Sequence, residues 1–206
     1  MVSTQLRREL QRAMAYLQGG GVVAFPTDTF YGLGADVYSE EAVSRVFRIK
    51  GKGTAGPLPV LLADVSGLSE VAVSVPVVAW QLAERFWPGA LTLVLERAET
   101  IPAIVSGGRS TVGVRVPDNP LARALVRGLG RPITGTSANL TGLPPATSAA
   151  EVRSQLGDAV DYVLDGGTCP GGQPSTVLDL TGTRPRILRA GKLPLDVLQP
   201  FFPSSL

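Results

Sequence analysis

The sequence contains no histidine, and that absence removes more chemistry than any other feature of its composition. Without imidazole there can be no Ser–His or Cys–His dyad, and most zinc sites are excluded. Cys169 is the single cysteine, so no disulfide can form within the chain, and a reduced, cytoplasmic setting is the expectation. Neither sign of charge dominates. Nineteen Lys and Arg face seventeen Asp and Glu, a formal net charge of +2. That balance is too even to predict nucleic-acid binding by itself, although a local basic patch is compatible with it. There is also no long hydrophobic run. The best apolar stretch, Val71–Trp80, is interrupted and falls well short of the roughly 20 residues that cross a bilayer. Ser3–Gln18 carries Arg7, Arg8 and Arg12 with Glu9 and has no apolar segment, so it reads as neither signal peptide nor membrane anchor. The expectation is that catalysis rests on lysine, arginine and hydroxyl groups.

What is present suits a globular fold. A chain of 206 residues, 44% of them hydrophobic, can bury one substantial core. Leu6, Leu10, Met14 and Leu17 recur at helical spacing and are stopped by Gly19–Gly21. Val22–Phe25 reads as a buried strand. Ser39 caps a helix reaching about Lys50, and Pro76 opens another ending near Phe86. Pro59–Ala63, Leu91–Leu95, Thr111–Val116 and Pro132–Thr136 read as strands, with Asp118 as the cap of a helix over Pro120–Leu129. Ser148 and Glu151 form a capping box. Val160–Leu164, Thr176–Leu180 and Arg186–Leu188 read as closing strands, and Leu195–Phe201 as a last short helix. Strands interleaved with helices predict an α/β (α+β) architecture, and the absence of repeats and linkers predicts one domain over 1–206.

The polar residues gather in the connections. Pro26–Gly34 follows a strand and packs Thr27, Asp28, Thr29 and Tyr31 between glycines; it suits either a self-capped turn or a small polar ligand. Lys50-Gly51-Lys52-Gly53 ends a helix. Its cations favour the helix dipole or an anion, and as a loop cation Lys50 is expected to be dispensable for folding. This is not a P-loop, since Gly53 stands where Ser or Thr must follow the lysine. Thr111, Gly113 and Arg115 share one strand face. Arg115 there calls for an anion or for a local salt bridge, Asp118 being the nearest carboxylate in sequence. Thr136–Asn139 can be a plain turn or an anion-holding one.

Together these segments are more specific than any one of them. Pro26–Gly34, Lys50–Lys52, Trp87–Thr92, Val112–Pro117, Ser137–Gly142, Ser175–Leu180 and Ile187–Gly191 resemble, in order and spacing, the motifs of the YrdC-type threonylcarbamoyl-adenylate synthase family. The resemblance covers about residues 10–192. It implies a twisted, largely parallel mixed sheet flanked by helices, with a basic concave substrate face, in a single-domain member without a further C-terminal domain. It implies a nucleotidyltransferase that condenses L-threonine, bicarbonate and ATP, with Mg²⁺, into threonylcarbamoyl-AMP and pyrophosphate. Other proteins would then pass the group to position 37 of tRNA, and direct RNA contact is a further possibility it raises.

By motif, the resemblance assigns Lys50, Lys52, Ser137 and Asn139 to catalysis and Thr29, Tyr31, Arg115, Gly135 and Ser175 to threonine. Thr111 and Arg189, with Lys50, Lys52, Ser137 and Asn139, fall to the nucleotide. No protein side chain is assigned to the metal, which is expected to arrive with ATP. The chemistry is compatible with the missing histidine: a substrate carbamate brings its own nucleophile, so positioning and charge stabilisation are the main tasks. The sequence also departs from the pattern. Lys52 replaces an arginine, Gly56 and Leu61 replace an asparagine and a histidine, and Pro145 stands where a serine is common. Those changes keep two other readings open: a diverged paralogue transferring carbamoyl groups to another acceptor, and a non-catalytic RNA-binding or ribosome-assembly protein.

Overall fold

The computed structural model describes residues 4–51 and 56–202. In chain order the helices are α1 (Thr4–Gln18), α2 (Glu40–Ile49), α3 (Leu68–Val71), α4 (Val77–Phe86), α5 (Pro120–Leu129) and α6 (Ala149–Leu156). The strands are β1 (Val23–Phe25), β2 (Gly32–Gly34), β3 (Val60–Leu61), β4 (Ala72–Val73), β5 (Leu91–Arg97), β6 (Thr111–Arg115), β7 (Ile133–Thr134), β8 (Thr136–Ser137), β9 (Tyr162–Val163), β10 (Thr176–Asp179) and β11 (Arg186–Arg189). The segment expected as a last helix forms only a 3₁₀ turn, Gln199–Phe201.

The caps follow local chemistry, with two corrections. Ser39 accepts from the Ala42 amide, as expected. For α5 the cap is Asn119, not Asp118: Asn119 directly precedes Pro120, which takes the first helical position, and its Oδ1 accepts from Leu121 and Ala122. At α6, Ser148 Oγ accepts from Glu151, but the Glu151 carboxylate reaches one residue further back, to the Thr147 amide.

The strands form a four-stranded sheet, β8-β2-β1-β9, and a seven-stranded sheet, β11-β10-β5-β6-β3-β7, with β4 paired to β5. The architecture is a mixed α/β fold with helices on the sheets, but it is less parallel than the family resemblance implies. Among the described residues β1–β9, β5–β10 and β3–β6 run parallel and the other pairings are antiparallel. The predicted strand Pro132–Thr136 is in fact two. β7 pairs with β3 in the larger sheet and β8 with β2 in the smaller, and the chain changes sheet at Gly135.

That switch needs a glycine for a steric reason. A Cβ at position 135 would lie 2.7 Å from both methyl carbons of Leu61 and closer still to its Cγ. The period of two governs burial on either side. Val23 and Phe25 pack with Ala13, Leu17, Leu121 and Leu125 of α1 and α5, whereas Val22 and Ala24 face the cluster containing α2 and α6. In the larger sheet Leu93, Leu95, Val112, Val114 and Leu178 are buried with α4 beneath. Their neighbours Val94, Thr111, Gly113 and Val177 are only partly covered, so the sheet's other face stays open.

Candidate active site

Two adjoining cavities occupy that open face. The first, of about 350 Å³, lies where the two sheets meet and is lined by Thr29, Thr92, Arg115, Gly135, Ser137, Ser175 and Arg189, with prolines around its rim. The second, of about 620 Å³, lies over the larger sheet and holds Arg109, Thr111, Gly113, Asp179, Arg186 and Leu188. Pro57, Pro59, Thr92 and Arg189 belong to both.

Arg115 is the best-anchored cation. It ends β6 with its side chain 8% exposed, and Nη2 pairs with Asp28 Oδ1 at 2.5 Å. The sequence pointed to Asp118, three residues away; the partner is instead in the loop after β1, and Asp118 contributes only its amide, to the same Asp28 oxygen. Arg115 Nε donates to Gly89 O at 2.9 Å, so the Trp87–Thr92 turn sets the plane of the guanidinium. Nη1 faces Thr29 Oγ1 at 3.5 Å, and Thr29 is held in turn by Thr27 Oγ1. Lys192 reaches over to donate to Asp28 O at 2.7 Å.

Arg189, at the end of β11, donates to Ser175 O twice and to Ser175 Oγ at 3.0 Å. Ser175 Oγ also meets Thr92 Oγ1 at 2.9 Å. No carboxylate pairs with Arg189 among the described residues. Burial, and then repulsion from Arg115, lower its pKa from the ordinary value. Two guanidiniums near enough to repel, of which only Arg115 has a carboxylate partner, leave an excess of positive charge in a partly desolvated cavity, an arrangement that favours a bound anion. Thr92 was missed as a site residue even though it closes the Trp87–Thr92 motif.

The remaining predicted residues are placed differently. Lys50 is the C-cap of α2 and only 9% exposed. Its ammonium donates to Ser137 O at 2.6 Å, Asn139 O at 3.0 Å and Asn139 Oδ1 at 3.2 Å. It is therefore part of the buried framework, and the reading of Lys50 as a dispensable loop cation is corrected. Asn139 spends its amide nitrogen on Leu140 O and Leu143 O. Lys50 and Asn139 thus stand behind the wall that Ser137 presents to the cavity. Tyr31 lines the first cavity, and its hydroxyl donates to Gly167 O and accepts from the Gly166 amide, tying the 166–167 loop to it. Burial pushes that phenol up to about 12. Thr111 faces the second cavity, and Pro145 lines the first. Lys52 falls outside the described residues.

Comparison with known proteins decides the family. A family model for Sua5, YciO and YrdC proteins, described as "Telomere recombination", matches residues 15–191. The chain belongs to the Sua5/YciO/YrdC family. A threonylcarbamoyl-AMP synthase from Pyrococcus abyssi is 41% identical across 93% of this chain, which spans 56% of that protein's length. The crystal structure of P. abyssi Sua5 complexed with L-threonine superposes with a TM-score of 0.92 at 40% identity, covering 95% of this chain and 58% of that one. E. coli YciO superposes at 0.84 with 33% identity, covering 97% of this chain and 95% of YciO. Among the described residues no helix is long and apolar enough to cross a membrane.

Proposed function

We propose that the chain is an L-threonylcarbamoyl-adenylate synthase, a cytoplasmic nucleotidyltransferase supplying the threonylcarbamoyl group for position 37 of tRNA. The observation carrying this reading is the first cavity: two adjacent guanidiniums, Arg115 and Arg189, beside the hydroxyls of Thr29, Thr92 and Ser175. That set matches an amino acid bearing a carboxylate and a side-chain hydroxyl. The names of the relatives, and the threonine complex of one of them, point the same way.

The amine of threonine and bicarbonate give a carbamate and water. A carbamate oxygen then forms a bond to the α-phosphorus of ATP as the bond to the β-phosphate bridge breaks, releasing pyrophosphate. In this scheme Arg115, fixed by Asp28 and Gly89, holds the amino-acid carboxylate, and the hydroxyls orient its side chain. Arg189 neutralises charge at the α-phosphate. Ser137, backed by Lys50 and Asn139, fixes the nucleotide side of the cavity. No residue need act as nucleophile, so the chemistry runs on orientation and preorganised charge. Mg²⁺ is proposed as the nucleotide's own ion. Among the described residues, no group of three or more His, Cys, Asp or Glu side chains is placed to hold a metal.

The test is pyrophosphate release by purified protein given ATP, Mg²⁺, bicarbonate and threonine. Release should depend on threonine and fall sharply when serine replaces it. Release at the same rate without any amino acid would overturn the reading.

A further inference from the structure

The amino-acid end of the first cavity is assembled from both sheets. Asp28 and Thr29 sit in the turn after β1 of the four-stranded sheet, whereas Ser175 directly precedes β10 of the seven-stranded one. Residues 189–193, at the end of β11 and just beyond it, touch both. Arg189 donates to Ser175 O and Oγ. Gly191 lies flat against the same segment: a Cβ there would stand 2.6 Å from Ser175 C and closer still to Pro174 O. The Lys192 amide donates to Pro174 O at 2.8 Å, and Leu193 O accepts from the buried Thr176 Oγ1 at 2.7 Å. The main chain of Lys192 is thus strapped to the Ser175 wall, and its side chain starts from a fixed point.

From there the ammonium crosses to the other wall and donates to Asp28 O at 2.7 Å. It forms no ion pair with a carboxylate among the described residues. The peptide group it holds is the one that joins Asp28 to Thr29. The other end of that group is held as well, since the Thr29 amide donates to Thr27 Oγ1 at 3.1 Å. A peptide group is planar, so fixing its oxygen and its N–H fixes the whole unit. The residues on either side of it both serve Arg115. Asp28 Oδ1 takes Nη2 at 2.5 Å, and Thr29 Oγ1 faces Nη1 at 3.5 Å. A turn of this one peptide would move both partners of the guanidinium together.

We infer that Lys192 is a positioning residue for the amino-acid substrate: through Asp28 O it locks the 28–29 peptide and so aims Arg115. The inference rests on the synthase reading of the first cavity and adds to it a residue that lines neither cavity. Losing this orientation costs binding of the group that Arg115 holds, the threonine carboxylate, and leaves the nucleotide contacts in place. A mere loss of positive charge would act the other way round. Zwitterionic threonine carries no net charge, whereas ATP is a strong polyanion and feels the field of a distant cation more.

The test is steady-state kinetics of pyrophosphate release by the whole protein, with calorimetry of threonine binding beside it. Lys192→Met keeps most of the stem and removes the donors. It should raise KM for threonine, and weaken threonine binding, by about three- to tenfold, the scale of one hydrogen bond. Both kcat and KM for ATP should stay within about twofold of wild type. Lys192→Arg keeps a charged donor and should recover most of the threonine affinity. Lys192 is exposed, so the melting curves of both variants should match wild type. Wild-type threonine affinity in Lys192→Met would overturn the inference. So would a rise in KM for ATP as large as that for threonine, which marks a charge effect. A lower Tm with both KM values unchanged would also overturn it, leaving a purely structural tie. If the wild type releases pyrophosphate equally well without threonine, the synthase reading fails and this inference with it. If release depends on threonine and Lys192→Met binds threonine normally, this inference alone fails.

Discussion

Replacing Lys50 with alanine should destabilise the protein, in contrast to what its place in a Lys-Gly-Lys-Gly segment suggests. The ammonium is buried and donates to Ser137 O, Asn139 O and Asn139 Oδ1 at 2.6, 3.0 and 3.2 Å. Hydrogen bonds to charged groups are worth about 1.5–3 kcal/mol each, and a buried acceptor deprived of its donor costs about 1–3 kcal/mol. The three bonds share one ammonium and are not additive. Water entering the vacated space recovers part of the loss. The net cost should be about 2–4 kcal/mol, which for a chain of this size lowers Tm by on the order of 10 °C. The assay is urea unfolding followed by tryptophan fluorescence, with Lys50→Met beside Lys50→Ala. Methionine keeps most of the stem and removes the donors, so it should be nearly as unstable as alanine. If both variants stay within about 0.5 kcal/mol of wild type, the view of Lys50 as a buried staple between α2 and the β8 edge is wrong.

Other perturbations test other parts of the account. Gly135→Ala forces a Cβ to 2.7 Å from the Leu61 methyl carbons, and Leu61 is itself buried. A loss of about 1–3 kcal/mol is expected, with partial recovery in Gly135→Ala/Leu61→Ala, read by thermal melting. Arg115→Ala strips Asp28 of its buried partner and should cost about 3–5 kcal/mol as well as threonine binding. Adding Asp28→Asn should restore much of the stability and none of the binding, as calorimetry will show. Tyr31 has its phenol raised from 10.0 to about 12 by burial, so the unfolded chain ionises first as pH rises. Its contribution is intact below pH 10 and is lost as pH climbs toward 12, so Tyr31→Phe should flatten the alkaline fall in stability over that window.

Much of this molecule is legible in its sequence, and what is not has a common cause. The period of two in Leu91–Leu95 and Thr111–Arg115 identifies both the strands and their buried face, and Ser39 marks the start of α2 through its own side chain. Local rules fail where a partner is distant. Arg115 finds Asp28, 87 positions away, in preference to Asp118. Lys50 finds Ser137 and Asn139 at similar separations, which no reading of its glycine-rich neighbourhood could supply. The split at Gly135 has the same origin, because it depends on Leu61 from another strand. The family resemblance implied a largely parallel sheet, yet short turns join β1 to β2 and β10 to β11, and such turns bring strands back antiparallel. Of the first cavity, the motifs supplied Thr29, Tyr31, Arg115, Gly135, Ser137, Ser175 and Arg189 together. They could not tell that Tyr31 and Asn139 direct their polar groups to neighbouring loops.

The central claim is that the substrate carbamate is the nucleophile that attacks ATP. It is tested most directly by supplying ¹³C-bicarbonate with threonine, ATP and Mg²⁺ and following the nucleotide product by mass spectrometry. The account predicts an adenylate carrying threonine and one ¹³C, formed in step with pyrophosphate. A labelled carbamoyl product with no adenylate, or conversion of ATP to ADP and phosphate in its place, would contradict it.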